Sequence, residues 1–293
     1  MASEIYERER KLRRAIQTLQ GAFLVMAVGI VWGLTPALSR MASGLGSNPL
    51  GLAVWVNIIA ATLCLSIAAY RGKLPKLRRR EFLFFFCWAI LAGVLQRMTT
   101  FLVTENIGAS MLSLIVTLQG FMVFAFAAIT RMETATPRRL VGLLVGLVGV
   151  SLVLLTRFEN AGGLQNVWLL FAMLLPLLFA IEAMVLAAKR PAHIDMFGSV
   201  GMMMALSALL LLPWAYVTGD LMPLGPAIGR LEILVAMIGI VSASSLVLSF
   251  HLVTTAGPVF YSQSAYAMTI AGVVWGMLLL NEELSVLSWV AFA

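Results

Sequence analysis

The sequence predicts an all-α polytopic membrane protein with ten transmembrane helices, the last one truncated, in a five-plus-five inverted repeat. Three observations lead there. Of 293 residues, 61% are hydrophobic and 11% charged, whereas soluble domains carry about 25% charged residues. Apolar runs of the length that crosses roughly 30 Å of hydrocarbon, about 20 residues, follow one another along the chain. The two halves also repeat common features at a single offset. A soluble fold is excluded, because 20 basic and 13 acidic residues cannot cover its surface while the apolar remainder stays buried. Disorder requires low hydrophobicity. A disulfide scaffold requires more than Cys64 and Cys87, both inside apolar runs.

The first run spans Leu19 to Ser39, followed by Leu50 to Tyr70, Phe82 to Val103, Ala109 to Thr130 and Leu140 to Thr156. The second half gives Val167 to Ala188, Met196 to Val217, Leu231 to Val253 and Val259 to Leu280. A tenth begins near Ser285 and reaches only Ala293. About nine residues of helix rise only about 14 Å, so this helix is expected to be truncated. Pro, Gly, Asn and charged residues mark the linkers, as in Ser47-Asn48-Pro49 and Thr136-Pro137-Arg138-Arg139. None is long enough for a soluble domain. The expected organisation is a basic cytoplasmic segment (1–18), a first five-helix repeat (19–156) and a second, inverted one (157–293). The basic leader and first apolar run resemble a signal peptide; the further spans favour an uncleaved first helix.

Orientation follows from the basic residues. With the N-terminus cytoplasmic, sixteen Lys and Arg fall inside, among them Arg71, Arg78 to Arg80, Lys189 and Arg190, and four outside: Arg40, Arg97, Arg157 and Arg230. Topology thereby accounts for the net charge of +7, and nucleic acid is not an expected partner. The run from Lys76 to Arg80 is either topogenic or a contact for anionic lipid heads.

At an offset of 149 residues, Asn106-Ile107-Gly108-Ala109 falls on Thr255-Ala256-Gly257-Pro258, and Glu133-Thr134-Ala135-Thr136 on Glu282-Glu283-Leu284-Ser285. With five helices per half, the second half enters the membrane in the opposite sense. Mirrored bundles provide two related states, one open to each side, which is a transporter architecture.

Val31-Trp32-Gly33-Leu34-Thr35-Pro36 in the first span, Met132-Glu133-Thr134-Ala135-Thr136-Pro137 before a Gly-rich helix, and Asn281-Glu282-Glu283-Leu284-Ser285 together resemble the drug/metabolite transporter superfamily, EamA-type. Within it the chain is most similar to YddG-type amino-acid exporters. The resemblance implies a ten-helix carrier of the plasma (bacterial inner) membrane that exports small metabolites, with no cofactor. The family usually has Gly before the helix-end Glu, where this chain has Met132 and Asn281. Many members have Pro where this chain has Gly120 and Thr269, so kinks in the fourth and ninth helices are not carried over.

Polar residues within spans face the bundle interior. Gly93, Gln96 and Thr100 share one face of the third helix, and Ser242, Ser245 and Ser249 are their mates in the eighth. Ser110, Ser113 and Thr117 in the fourth correspond to Val259, Ser262 and Tyr266 in the ninth. These stripes either line a central cavity or pack helices closely; the Gly142, Gly146, Gly149 stripe reads as packing alone. Pro36, after Thr35, and Pro176 in the mate helix free carbonyls that can hold an ammonium group, or are tolerated kinks. Trp32 is a candidate to stack on a ligand, and Asn57 a further polar candidate. Glu182, deep in the sixth span, either takes a proton or binds an ammonium, or else pairs with Lys189 or Arg190. Arg97 either clamps a carboxylate or snorkels to the outer surface. His251 is a candidate proton relay or a structural histidine.

The expected function is a carrier of a small neutral or zwitterionic metabolite, amino acids first, aromatic or other apolar ones among them, working by alternating access. Phosphorylated substrates need several cavity Arg or Lys, and Arg97 is alone. The alternatives are an intramembrane enzyme, a channel, or a carrier of other metabolites or drugs. His193 and His251 are the only histidines, with no His-Glu-x-x-His and no Gly-x-Ser-x-Gly, so neither catalysis nor a metal is expected. The expected partners are a small-molecule substrate and the lipid bilayer, in a monomer or weak oligomer.

Overall fold

The computed structural model describes residues 2–75, 78–131, 163–191, 193–222 and 229–282. Eight helices among them are long and apolar enough to cross a membrane: α1 (Leu19–Gly44), α2 (Pro49–Tyr70), α3 (Arg79–Ile107), α4 (Ala109–Ile129), α5 (Val167–Lys189), α6 (Met196–Thr218), α7 (Arg230–Ala256) and α8 (Pro258–Leu280). The expected fifth and tenth spans, with Glu133 and the glycine stripe 142–149, lie outside the described residues. The protein is an all-α, multi-pass membrane protein. Its helices exceed the expected spans at several ends, because polar first and last turns belong to the helix but not to its hydrophobic run. The backbone of α1 extends back to Ala2.

Local sequence sets the helix ends. Asn48 caps α2, its Oδ1 accepting from the Gly51 amide at 2.6 Å, with Pro49 at the first helical position. Asp195 caps α6 through the Phe197 amide at 3.2 Å, and Gly219, left-handed at φ 74°, ends it. Glu81 and Glu232 reach back to the amides of Arg78 and Gly229 at 2.9 and 3.0 Å. Gly108 and Gly257 turn the chain between consecutive helices with almost the same backbone, φ 87° and ψ 161° against φ 89° and ψ 165°. A side chain at positive φ would be strained there.

In lipid, close approach of small residues holds helices together. Helix α1 lies along α8, and a Cβ on Gly33 would come within 2.8 Å of the Gly272 amide nitrogen. Helix α2 lies along α6 and α7, and α4 against α8. The basic end of the bundle carries Arg71 and Lys73, 3.7 and 3.9 Å from Asp195. At the opposite end Arg40 donates to the Thr104 and Glu105 carbonyls, Asn48 to that of Asp220, and Trp55 to that of Met222. There too, Glu282 accepts from the amides of Ala109 and Ser110 and from the Ser110 hydroxyl.

Two helices break without proline. Helix α4 breaks at Thr117 and Leu118, and α8 at Gln263. In α4 the cause is visible. The Thr269 hydroxyl of α8 donates to the Ser113 carbonyl at 2.8 Å, the acceptor that the Thr117 amide would use in a regular helix. That amide turns to Leu114 instead.

Candidate functional site

The centre of the bundle is organised by α3, whose middle, Ala89–Gln96, is π-helical. Such a segment disrupts the backbone ladder and is frequent at functional sites. Two buried side chains take up carbonyls within it. Asn57 of α2 donates to the Gly93 carbonyl at 3.1 Å, and Ser207 of α6 to that of Ala89 at 3.2 Å.

From α3, Trp88 and Gln96 converge on Glu182 of α5. Trp88 Nε1 donates to Oε1 at 2.7 Å and Gln96 Nε2 to Oε2 at 2.8 Å. Gln96 Nε2 also reaches the Leu178 carbonyl at 3.1 Å. Glu182 is 4% exposed, and two N–H donors replace the water that a carboxylate loses on burial. The alternative pairing of Glu182 with Lys189 or Arg190 does not form. Those residues sit at the end of α5, past the buried stretch, while Trp88 and Gln96 face the carboxylate directly.

Arg97 follows Gln96 and points the other way. Its Nη1 donates to Ser242 Oγ of α7 at 3.0 Å, and Nη2 lies 3.6 Å from Met204 Sδ. The snorkelling alternative is overturned: Arg97 is 8% exposed, held inward by partners on α6 and α7. Its Nε has no hydrogen-bond partner, and neither does the buried Thr35 hydroxyl.

Both residues line a central cavity of about 40 Å³ with Trp32, Gln96, Thr100, Phe101, Phe179, Ser242 and Ser245. Trp32 and Phe179 meet edge to face with centroids 5.1 Å apart. One water needs ~10–15 Å³ by this measure, so the cavity has room for waters and not for a metabolite. Glu182 stands one hydrogen bond behind the wall, through Gln96.

Of the residues singled out from sequence, Trp32, Thr35, Gln96, Arg97, Thr100, Ser242 and Ser245 meet at this cavity. Pro36 lies behind Thr35, its own carbonyl taken by Ser39 Oγ at 2.9 Å. Asn57 holds the π-helical segment instead of lining the cavity. Ser113 and Thr117 lie in the α4–α8 contact, where the Thr117 and Thr269 hydroxyls are 2.7 Å apart and a Cβ on Gly272 would collide with Ser113. Tyr266 is 37% exposed on the bundle surface. His251 lines a separate groove with Leu19, Gln20, Phe23 and Leu24.

Sequence reasoning passed over Trp88, Phe179, Gln119 and Tyr261. The Tyr261 hydroxyl lies beside Gln119 and Ser249 in the core. Gln119 was a detectable signal, an amide inside an apolar span. Trp88 and Phe179 carried none, since aromatic residues recur on lipid-facing surfaces.

Residues 19–155 match the model of the EamA-like transporter family. No curated protein matches the chain significantly. A crystal structure of a protein 16% identical in sequence superposes with a TM-score of 0.67, covering 93% of each chain, which establishes a shared fold. Residues 19–155 thus carry the pattern of the EamA-like transporter family, within a multi-pass membrane protein.

Proposed function

We propose that this carrier exports small neutral or zwitterionic metabolites, amino acids above all, by alternating access at the cavity around Arg97. One observation carries the reading. Arg97 is a buried guanidinium with a free Nε on a wall shared by hydroxyls and three aromatic rings. A guanidinium is the preferred donor for a carboxylate, Thr35, Thr100 and Ser245 offer hydroxyls, and Trp32 and Phe179 suit an apolar side chain. Glu182, reached through Gln96, supplies the negative charge that an ammonium group or a proton would seek. Export, and the preference for amino acids, rest on the similarity to YddG-type exporters.

Alternating access fits a cavity too small for its substrate, which must widen toward one side at a time. Two inverted five-helix repeats would provide the two openings. In support, the glycine turns at 108 and 257 share their backbone conformation at the 149-residue offset. The basic leader and loops argue for a cytoplasmic N-terminus.

Uptake of labelled amino acids into proteoliposomes, with and without a pH gradient, tests the proposal. Saturation and counter-flow are expected, with loss of transport in Arg97→Leu. Intact rate and pH response in Glu182→Gln would remove Glu182 from the mechanism. Cysteines at 133 and 282 that label from the same side would refute the inverted repeat.

A further inference from the structure

We propose that the groove between the basic ends of α3 and α5 binds one anionic phospholipid, with its phosphate on Arg80, Lys189 and Arg190 and an acyl chain along Leu83, Cys87 and Val185. The groove holds about 700 Å³, many times the volume of the central cavity. Arg80 projects from the first turn of α3, while Lys189 and Arg190 close α5, so three cations from two helices meet at one recess.

No carboxylate among the described residues pairs with any of the three, whereas nearby Arg71 and Lys73 share Asp195. The Arg190 guanidinium rests over the Phe250 ring, 5.9 Å from its centroid, which holds it against the bundle. The only acid in the groove, Glu81, is already engaged, accepting from the Arg78 amide at 2.9 Å and facing His193 Nε2 at 3.0 Å. One carboxylate against three cations leaves the groove with a net positive charge.

The floor is apolar and uncovered: Leu83 is 62% exposed and the Cys87 thiol is free. Cations at the rim of a membrane helix pair, above an apolar trough running into the hydrocarbon, match the two halves of an anionic lipid. A neutral lipid would leave the cations unpaired, and a free anion would leave the trough uncovered. This site is separate from the transport cavity, and its test requires no substrate.

Cys87 provides the probe, because Cys64, the other cysteine, is 1% exposed and serves as an internal control for folding. The rate of maleimide reaction at Cys87 is measured on the full chain in a neutral detergent, titrated with phosphatidylglycerol or phosphatidylcholine. Phosphatidylglycerol is expected to slow the reaction at least fivefold at ratios where phosphatidylcholine does not. Each charge removed should weaken this protection about fivefold, corresponding to ~1 kcal/mol per basic residue at an anionic surface. R80Q/K189Q/R190Q should therefore lose it, and R80K/R190K should keep it. Should the triple variant expose Cys64, the single variants R80Q and K189Q carry the comparison. Equal protection by both lipids, or protection that survives charge removal, overturns the proposal. So does protection by inorganic phosphate alone, which means a small-anion site. Protection that rises with protein concentration without lipid also overturns it, because a second copy then covers the groove.

Discussion

Gln96→Leu isolates the group that connects the cavity wall to Glu182. The substitution removes the donor to Glu182 Oε2 at 2.8 Å and to the Leu178 carbonyl at 3.1 Å, at a site 5% exposed. A hydrogen bond to a charged group contributes about 1.5–3 kcal/mol and a neutral one about 0.5–1.5 kcal/mol. Together they amount to about 2–4 kcal/mol. At about 2–4 °C per kcal/mol for chains of a few hundred residues, the Tm in detergent should fall by about 5–15 °C. A double-mutant cycle identifies the cause. In a Glu182→Leu background no carboxylate remains to be orphaned, so Gln96→Leu should then cost only the neutral bond, leaving a coupling of about 1.5–3 kcal/mol. Thermal unfolding of the four proteins measures it. If Gln96→Leu costs as much without Glu182 as with it, the inferred Gln96–Glu182 bond does not stabilise the fold.

Gln96→Leu combined with Ser245→Leu places two branched side chains in a cavity of about 40 Å³; transport should drop to background, and retained transport would remove this cavity from the path. Asn57→Leu leaves the Gly93 carbonyl of the π-helical segment without its donor; an unpaired buried acceptor costs about 1–3 kcal/mol, read as a lower Tm, and an unchanged Tm would show that the segment holds itself. Glu282→Ala strips the first turn of α4 of its acceptor. By analogy with lost N-caps this costs about 0.5–2 kcal/mol, and Glu282→Gln should recover part of it, because an amide oxygen still accepts.

Much of the architecture was legible in the residues alone. Hydrocarbon thickness and the need to satisfy every backbone group leave long apolar runs one solution, so the eight described spans fall where hydropathy places them. Helix ends were legible for the same local reason, since Asn48-Pro49 and Gly108 act through neighbours a few residues away. The shared face of Gln96 and Thr100, and the inward position of Ser242 and Ser245, follow from helical periodicity. Which polar residues meet which was not legible. Glu182 has Lys189 about two turns further along its own helix, yet it bonds to Trp88 and Gln96 from another helix. Arg97 lies inward because Ser242 and Met204 arrive from α7 and α6. Ser113 and Thr117 share the pattern of the cavity stripes, but α8 presses against them and makes them packing. Periodicity defines one helix's faces; the identity of the helix opposite, and the conversion of an ordinary turn into a π-helical one, arise only when the whole bundle is assembled.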